Sequence, residues 1–231
     1  MDPVGSILFW AALFIGTHLL VSSSAVRPRL ISKVGEQPYR GIYSLISFAT
    51  FVPLVIVFAY HKHSGPMLWY LRTEAAARWL AWALMVIAFV TLVAGLITPS
   101  PANIGTTPDQ VRAPRGLLKV TRHPAFIAFS LFGFAHMLMN GWLGDLIFFG
   151  TFPVLGIAGG KHQDARKLRE LGDGYREFVE ETSFLPFAAL VSGRQKWRAA
   201  DVPWAGIMIG VALAIVTALL HPFLFGGQPL G

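Results

Sequence analysis

The chain has no cysteine among its 231 residues. This absence excludes disulfides, iron–sulfur clusters, thiolate-bound metals and a covalently attached c-type haem. Any metal or haem must therefore be held by other side chains, of which neutral histidine is the usual one for haem iron.

Charge is also scarce. Charged residues make up 13% of the chain, whereas soluble domains contain about 25%, and mean hydropathy is +0.56. Six apolar stretches approach the roughly 20 residues that a transmembrane helix needs. The sequence therefore predicts an all-α fold, a polytopic integral membrane helix bundle of about six transmembrane helices. The spans run from about Val4 to Ala25, Ile42 to Tyr60, Ala77 to Ile97, Pro124 to Trp142, Leu143 to Gly159 and Val202 to Leu220.

Two spans have unusual ends. The first ends in small residues at 22–25, as a signal peptide does, but no Lys or Arg precedes its apolar run. A signal peptide carries a positive segment there, so we expect a retained helix. Spans four and five are separated by little more than Asn140 and Gly141, which predicts a tight helical hairpin. Pro153 and Gly156 make the fifth span the least regular.

The basic residues predict an orientation. The loops after spans one, three and five hold 16 Lys and Arg residues, and the other connections hold 3. Basic loops stay in the cytoplasm, so both termini are expected outside, in the periplasm for a protein of the bacterial inner membrane. The net charge of +7 then faces anionic lipid headgroups, and no nucleic-acid partner is expected. In the last basic loop, residues 161–181 carry apolar side chains at helical spacing, interrupted by Gly172 and Gly174, and predict an amphipathic helix on the cytoplasmic surface.

Two histidines, His18 and His136, lie well inside predicted spans. An ionisable residue in a span is a functional hypothesis by default, and two imidazoles on different helices can hold a haem between them. The alternative is that each hydrogen-bonds a neighbouring helix. At about 1.5 Å per residue, His18 lies roughly 13 Å from Arg27 and His136 roughly 21 Å from Arg122, an offset that permits the pair without requiring it.

Other polar residues flank this pair. The guanidinium of Arg122 is suited to binding a haem propionate or a lipid phosphate. The alternative is that Arg122 anchors the helix at the membrane interface. His123 precedes Pro124 near the start of span four, and its depth makes it a weaker partner for His18. Asn140, one turn beyond His136, either orients it or an incoming polar group or belongs only to the hairpin. The remaining histidines are expected to be solvated or without a motif: His61, His63, His162 and His221.

Several separate strings, in the right order, resemble the NnrU family. They are GTH at 16–18, GEQPYRGIY at 35–43, GLLKVTRHP at 116–124, GFAH at 133–136 and NG at 140–141. The resemblance covers residues 7–187, with 188–231 as a linker and an additional span. It implies a polytopic membrane protein linked to nitric oxide and nitrite metabolism or, in plant and cyanobacterial relatives, a zeta-carotene isomerase with haem b. The ligand pattern of those isomerases falls on His18 and His136, and their nearby cysteine corresponds to Gly133.

A second resemblance is to membrane methyltransferases that modify isoprenylcysteine or phospholipid. It rests on Arg122-His123-Pro124 and on LGDGYREF at 171–178 followed by Pro186. Those enzymes bind S-adenosylmethionine with a Glu-Glu pair, where this chain has Gln163 and Asp164, so one carboxylate is missing.

Three functional classes follow from these observations. The first is a haem b protein that isomerises an apolar cis-polyene. The second is a haem-based sensor or accessory protein whose ligand is nitric oxide. The third is an S-adenosylmethionine-dependent membrane methyltransferase. We expect a membrane haem protein of the NnrU type, with the methyltransferase as the alternative.

Overall fold

The computed structural model describes residues 2–103, 106–107 and 110–227. Within these ranges it contains nine α-helices and a two-stranded antiparallel sheet. Short 3₁₀ turns cover Gly116–Lys119 and Ala199–Asp201. In chain order the elements are α1 Pro3–Val21, α2 Arg27–Val34, α3 Glu36–Tyr60, β1 Met67–Trp69, α4 Ala75–Ile97, α5 Pro124–Met139, β2 Gly141–Trp142, α6 Leu143–Leu171, α7 Asp173–Glu181, α8 Ala188–Val191 and α9 Trp204–Phe225.

Five of the helices are long and apolar enough to cross a membrane, counting only the described residues: α1, α3, α4, α6 and α9. The predicted fourth span is the shorter apolar helix α5, whose 16 residues extend about 24 Å. Helix α5 ends at Met139 because the next residues, Gly141 and Trp142, form β2 and pair with β1. In this pairing Trp142 lies opposite Met67 and Gly141 lies opposite Trp69. The all-α polytopic membrane fold is confirmed, and the two-stranded sheet joins the connection between spans two and three to the connection between spans four and five.

Contacts divide the chain into two units. The first comprises Met1–Ala81 and Gly133–His162, and the second comprises Trp82–Phe132 and Gln163–Gly231. In the first unit, α1 packs on α3. The buried residues of α1 are Ile7, Ala11 and Phe14, a spacing of four and three residues that forms one helical stripe. The rest of the helix surface is largely apolar and exposed, as lipid contact requires.

Helix α6 is continuous through Pro153 and Gly156 for 29 residues, about 44 Å. The surface helix predicted from residue 161 is therefore not separate: its first half continues the fifth span, and α7 follows after Gly172, whose φ is +63°. The apolar face of this segment packs within the second unit against protein rather than lipid. The cluster comprises Ala102, Leu118, Leu171, Tyr175 and Phe178, with Val111, Leu168 and Val179 beside it.

In the second unit α9 packs closely on α4. A Cβ on Gly206 would lie 2.6 Å from the Cβ of Ala94, and one on Gly210 would lie 2.5 Å from the Cα of Val90. Small residues at this four-residue spacing let two membrane helices approach closely. The last span, which the motifs left outside the resembling region, is thus packed into the same unit as α4.

Candidate functional site

His18 lies on the buried stripe of α1, one turn beyond Phe14. Both of its ring nitrogens face hydroxyl groups on α3: the Tyr43 oxygen is 2.7 Å from Nε2, and the Ser47 oxygen is 3.3 Å from Nδ1. Since Tyr43 and Ser47 are four residues apart, they share one face of α3. The shorter contact favours a tautomer in which the Tyr43 O–H donates to Nε2 and Nδ1–H donates to Ser47.

His136 lies three residues before the end of α5. Its ring stacks on Phe149 of α6, with centroids 4.6 Å apart and planes inclined by 23°. The Asn140 side-chain amide donates to the His136 carbonyl at 2.8 Å, and the Asn140 backbone N–H donates to the same oxygen at 2.9 Å. Asn140 therefore caps the helix that carries His136, and these bonds do not involve the imidazole ring.

A series of phenylalanine rings connects the two histidines inside the first unit. Successive ring centroids, from His18 to His136, are 4.6–6.4 Å apart, the range of favourable aromatic contacts. We call these residues the phenylalanine run, and in spatial order they are Phe14, Phe51, Phe152, Phe148 and Phe149. The run gives the site an apolar interior with an imidazole at each end.

The end of the first unit beside His136 holds a polar cluster. Buried Asp145 accepts from the His63 backbone N–H at 3.1 Å and lies 2.7 Å from His63 Nδ1. Arg72 donates to the Met139 carbonyl at 3.1 Å and to the side-chain oxygen of Asn140. His63 adopts φ +60° and is held by a carboxylate. The His63 side chain is 39% exposed, as expected for a solvated histidine, but its backbone and ring also contact Asp145, a residue distant in sequence.

Arg122 and His123 lie in the second unit and converge on one carboxylate. Arg122 donates two bonds to Asp164 Oδ2, from Nε at 2.9 Å and from Nη2 at 2.8 Å. His123 Nε2 and the Tyr175 hydroxyl each lie 2.8 Å from Oδ1. Burial and the adjacent Asp164 charge raise the pKa of Tyr175 well above its ordinary value, so the phenol stays protonated and donates. All four acceptor positions of the carboxylate are therefore used.

The structure thus places the candidate residues in two groups. His18, His136 and Asn140 belong to the first unit, whereas Arg122 and His123 belong to the second.

The sequence did not predict the hydrogen-bond partners of either group. Two polar residues four apart in an apolar span are a signal for Tyr43 and Ser47. Asp145, Asp164 and Tyr175 carried no comparable local signal, because their partners are 11 to 82 residues away.

The residues around His18 and His136 fit a haem in chemical type. Neutral imidazole is the usual axial ligand, and a ligating histidine normally donates its second ring N–H to a neighbouring group, as His18 does to Ser47 in the tautomer assigned above. Ligation through Nε2 requires the Tyr43 hydroxyl to give way. Among the described residues, no group of three or more His, Cys, Asp or Glu is placed to hold a metal ion directly, so the two histidines are the candidate ligands. His18 contacts α3 at Ser47, whereas the stacking partner of His136, Phe149, contacts α3 at Phe58. Both imidazoles would therefore ligate one iron only after the helices had moved closer together.

The fold and this site define a polytopic membrane protein with an aromatic interior between two intramembrane histidines. The chain belongs to the NnrU family: residues 6–229 match the family described as NnrU protein. The match includes α9, beyond residue 187, where the resembling region was expected to end. It is also similar to a 15-cis-zeta-carotene isomerase, chloroplastic, from Zea mays, with 27% identity over 166 residues. The corresponding protein of Arabidopsis thaliana is 24% identical over 167 residues.

These relatives are longer than this chain. The matches cover 71% and 70% of the chain but 44% of each relative, so the chain spans less than half of the curated relatives it matches. No solved structure matches the chain.

Proposed function

We propose that the chain is an integral membrane cis–trans isomerase of an apolar conjugated polyene, with haem b held through His18 and His136. The observation that carries the proposal is the phenylalanine run. Planar aromatic side chains form favourable contacts with other flat π-systems and supply the apolar lining of ligand sites. The similarity to two 15-cis-zeta-carotene isomerases supports the same class of reaction.

Each residue of the site has a role in this proposal. The phenyl rings exclude water and contact the polyene along its length. The Ser47 hydroxyl oxygen accepts a hydrogen bond from Nδ1–H of His18, which keeps the Nε2 lone pair available for a metal. When no metal is present, Nε2 accepts a hydrogen bond from the Tyr43 hydroxyl. Haem b, when bound, supplies an iron centre that can weaken the double-bond character of a conjugated chain. Isomerisation transfers no group, so no acid or base is required.

The nitrogen-oxide role stays a prediction from family resemblance, since nothing in the site favours nitric oxide over a polyene. The methyltransferase alternative receives no support from the geometry. Asp164, at the position of the paired carboxylates in those enzymes, is fully occupied by Arg122, His123 and Tyr175. Gln163 donates to the Ala102 carbonyl at 3.0 Å instead of facing a ligand.

The proposal is tested with full-length protein purified in detergent. A b-type haem spectrum is expected, and replacing either His18 or His136 with alanine should alter it, whereas His61→Ala should not. Incubation with a 15-cis polyene should give the all-trans isomer, read by chromatography. A preparation that is colourless after production with excess haem precursor contradicts the cofactor, and a haem-loaded protein that leaves the polyene unchanged contradicts the isomerase.

The same proposal places the chain in the bacterial inner membrane with both termini in the periplasm. The absence of native cysteine makes this orientation easy to test, because single cysteines can be introduced at exposed positions. A membrane-impermeant maleimide applied to intact spheroplasts should label Glu74→Cys and leave Arg115→Cys unlabelled until the membrane is disrupted. The reverse pattern contradicts the orientation.

A further inference from the structure

The Arg72 guanidinium contacts a backbone carbonyl, a side-chain amide, an indole ring and an imidazole. Its guanidinium donates from Nε to the Met139 carbonyl and from Nη2 to Asn140, and it lies over the Trp142 ring at 5.5 Å. His63 Nε2 is 3.5 Å from its Nη2. Among the residues the structure describes, Arg72 forms no ion pair with a carboxylate.

Three other partly buried cations are each paired with a carboxylate. Arg27 meets Glu36, Lys119 meets Asp201, and Arg122 meets Asp164. The acidic group nearest to Arg72 in this cluster is Asp145, but both of its oxygens are used by His63. Arg72 therefore presents a guanidinium with unused N–H donors beside an imidazole, the arrangement that recognises a carboxylate or phosphate.

This cation lies close to the proposed cofactor ligand. Met139 and Asn140 are three and four residues beyond His136, so Arg72 binds α5 about 4.5 to 6 Å along the axis from the ligand position. Asn140 joins the two directly, since it donates to the His136 carbonyl and accepts from Arg72. Arg122, the residue that the sequence suggested for a propionate, is occupied by Asp164.

We propose that Arg72, with His63 beside it, binds a propionate carboxylate of the haem held by His136. This inference rests on the proposed cofactor and goes beyond it, because it names the anion site and moves it from Arg122 to Arg72. The ligand class is a carboxylate attached to a planar, apolar ring system. A purely structural role is the competing explanation, since a cation stabilises the C-terminal end of a helix such as α5.

Haem b and its dimethyl ester separate the two explanations, because the ester keeps the porphyrin and iron but lacks the carboxylates. Both probes are titrated into cofactor-free full-length protein in detergent, with binding read from the absorption spectrum. Arg72→Gln should weaken haem b binding about ten- to a hundredfold, the effect of losing a hydrogen bond between charged groups. Binding of the ester should change less than about twofold. Arg115→Gln, at an exposed position, is the control for loss of one positive charge.

A second variant, Arg72→Lys, keeps the charge but loses the planar fork, so an intermediate loss for haem b and none for the ester is expected. It also provides the comparison if Arg72→Gln does not fold, which thermal unfolding of the cofactor-free protein reports. Equal losses for both probes, or no loss for either, overturn the Arg72 site while leaving the haem proposal intact. Wild-type protein that binds neither probe overturns both.

Discussion

The Tyr43 hydroxyl lies 2.7 Å from Nε2 of His18, the two side chains coming from α3 and α1. Their rings are 5.0 Å apart and inclined by 51°, so the contact is made by the hydroxyl rather than by stacking. In the absence of a metal, this hydrogen bond satisfies a nitrogen that would otherwise lack a partner inside an apolar span. Any metal at His18 Nε2 must compete with it.

Tyr43→Phe is therefore expected to increase the affinity for haem b. Removing a hydrogen bond of about 1 kcal/mol that competes with ligation tightens binding about fivefold, as measured by titrating the cofactor-free protein and recording the absorption spectrum. Tyr60→Phe removes a hydroxyl from an exposed residue at the far end of the same helix and should change nothing. Weaker binding by the Tyr43 variant would instead mean that the hydroxyl orients His18 for ligation.

The Asp164 network predicts a large stability effect. Asp164→Asn removes the charge that faces Arg122, whose side chain is only 13% exposed, and disturbs the bonds from His123 and Tyr175. Leaving a buried cation without its partner costs about 3 kcal/mol. The free energy of unfolding in mixed detergent micelles measures this loss. Asp173→Asn is the matched control, because its carboxylate is 89% exposed and surface ion pairs contribute little to stability. Equal losses of unfolding free energy in the two variants would contradict a stabilising role for the Asp164 network.

The network also predicts a pH dependence on the alkaline side. The pKa of Tyr175 is raised by burial and by Asp164, whereas in the unfolded chain a tyrosine ionises near pH 10. Between these values the folded state retains a proton that the unfolded state has lost. The contribution of Tyr175 to the free energy of unfolding is therefore complete below about pH 10. Above that pH it declines by about 1.4 kcal/mol per pH unit.

Unfolding free energies measured from pH 9 to 11 check this expectation. In Tyr175→Phe the decline above pH 10 should be shallower than in the wild type by the contribution of one ionising group. Tyr60→Phe, which alters an 82% exposed tyrosine, should keep the wild-type slope. Identical slopes for wild type and Tyr175→Phe would show that Tyr175 ionises alike in both states.

The membrane fold was predictable because hydropathy is a local property. The five long spans and the apolar helix α5 each carry the signal in their own residues, and His18 and His136 were singled out because a polar group in such a segment is costly. The strands β1 and β2 were not predictable. They contain three and two residues, and their pairing depends on a contact between Trp69 and Gly141 that no local pattern encodes.

The contacts of the site were predictable only in part. The sequence left the role of Arg122 open between binding a haem propionate, binding a lipid phosphate and anchoring the helix at the membrane interface. In the folded chain Arg122 pairs with Asp164, which lies 42 residues away in the sequence. The continuity of α6 was also missed, because proline and glycine disfavour helix in general and the packing that compensates at Pro153 is tertiary.

That packing predicts how the chain tolerates a change at Gly133. A Cβ there would lie 2.6 Å from Pro153 Cδ and 2.7 Å from the Phe149 carbonyl oxygen, so Gly133→Ala should destabilise the protein by about 1–3 kcal/mol through overpacking. Gly133→Cys, which introduces the residue that the family resemblance places here in the isomerases, should cost at least as much. Gly150→Ala is the control, since no atom lies within 4 Å of its added Cβ and alanine favours helix. Thermal unfolding in detergent compares the three variants. If Gly133→Ala is as stable as Gly150→Ala, then α5 and α6 can separate at Pro153 without cost. In that case the close contact between the helices would not account for glycine rather than cysteine at position 133.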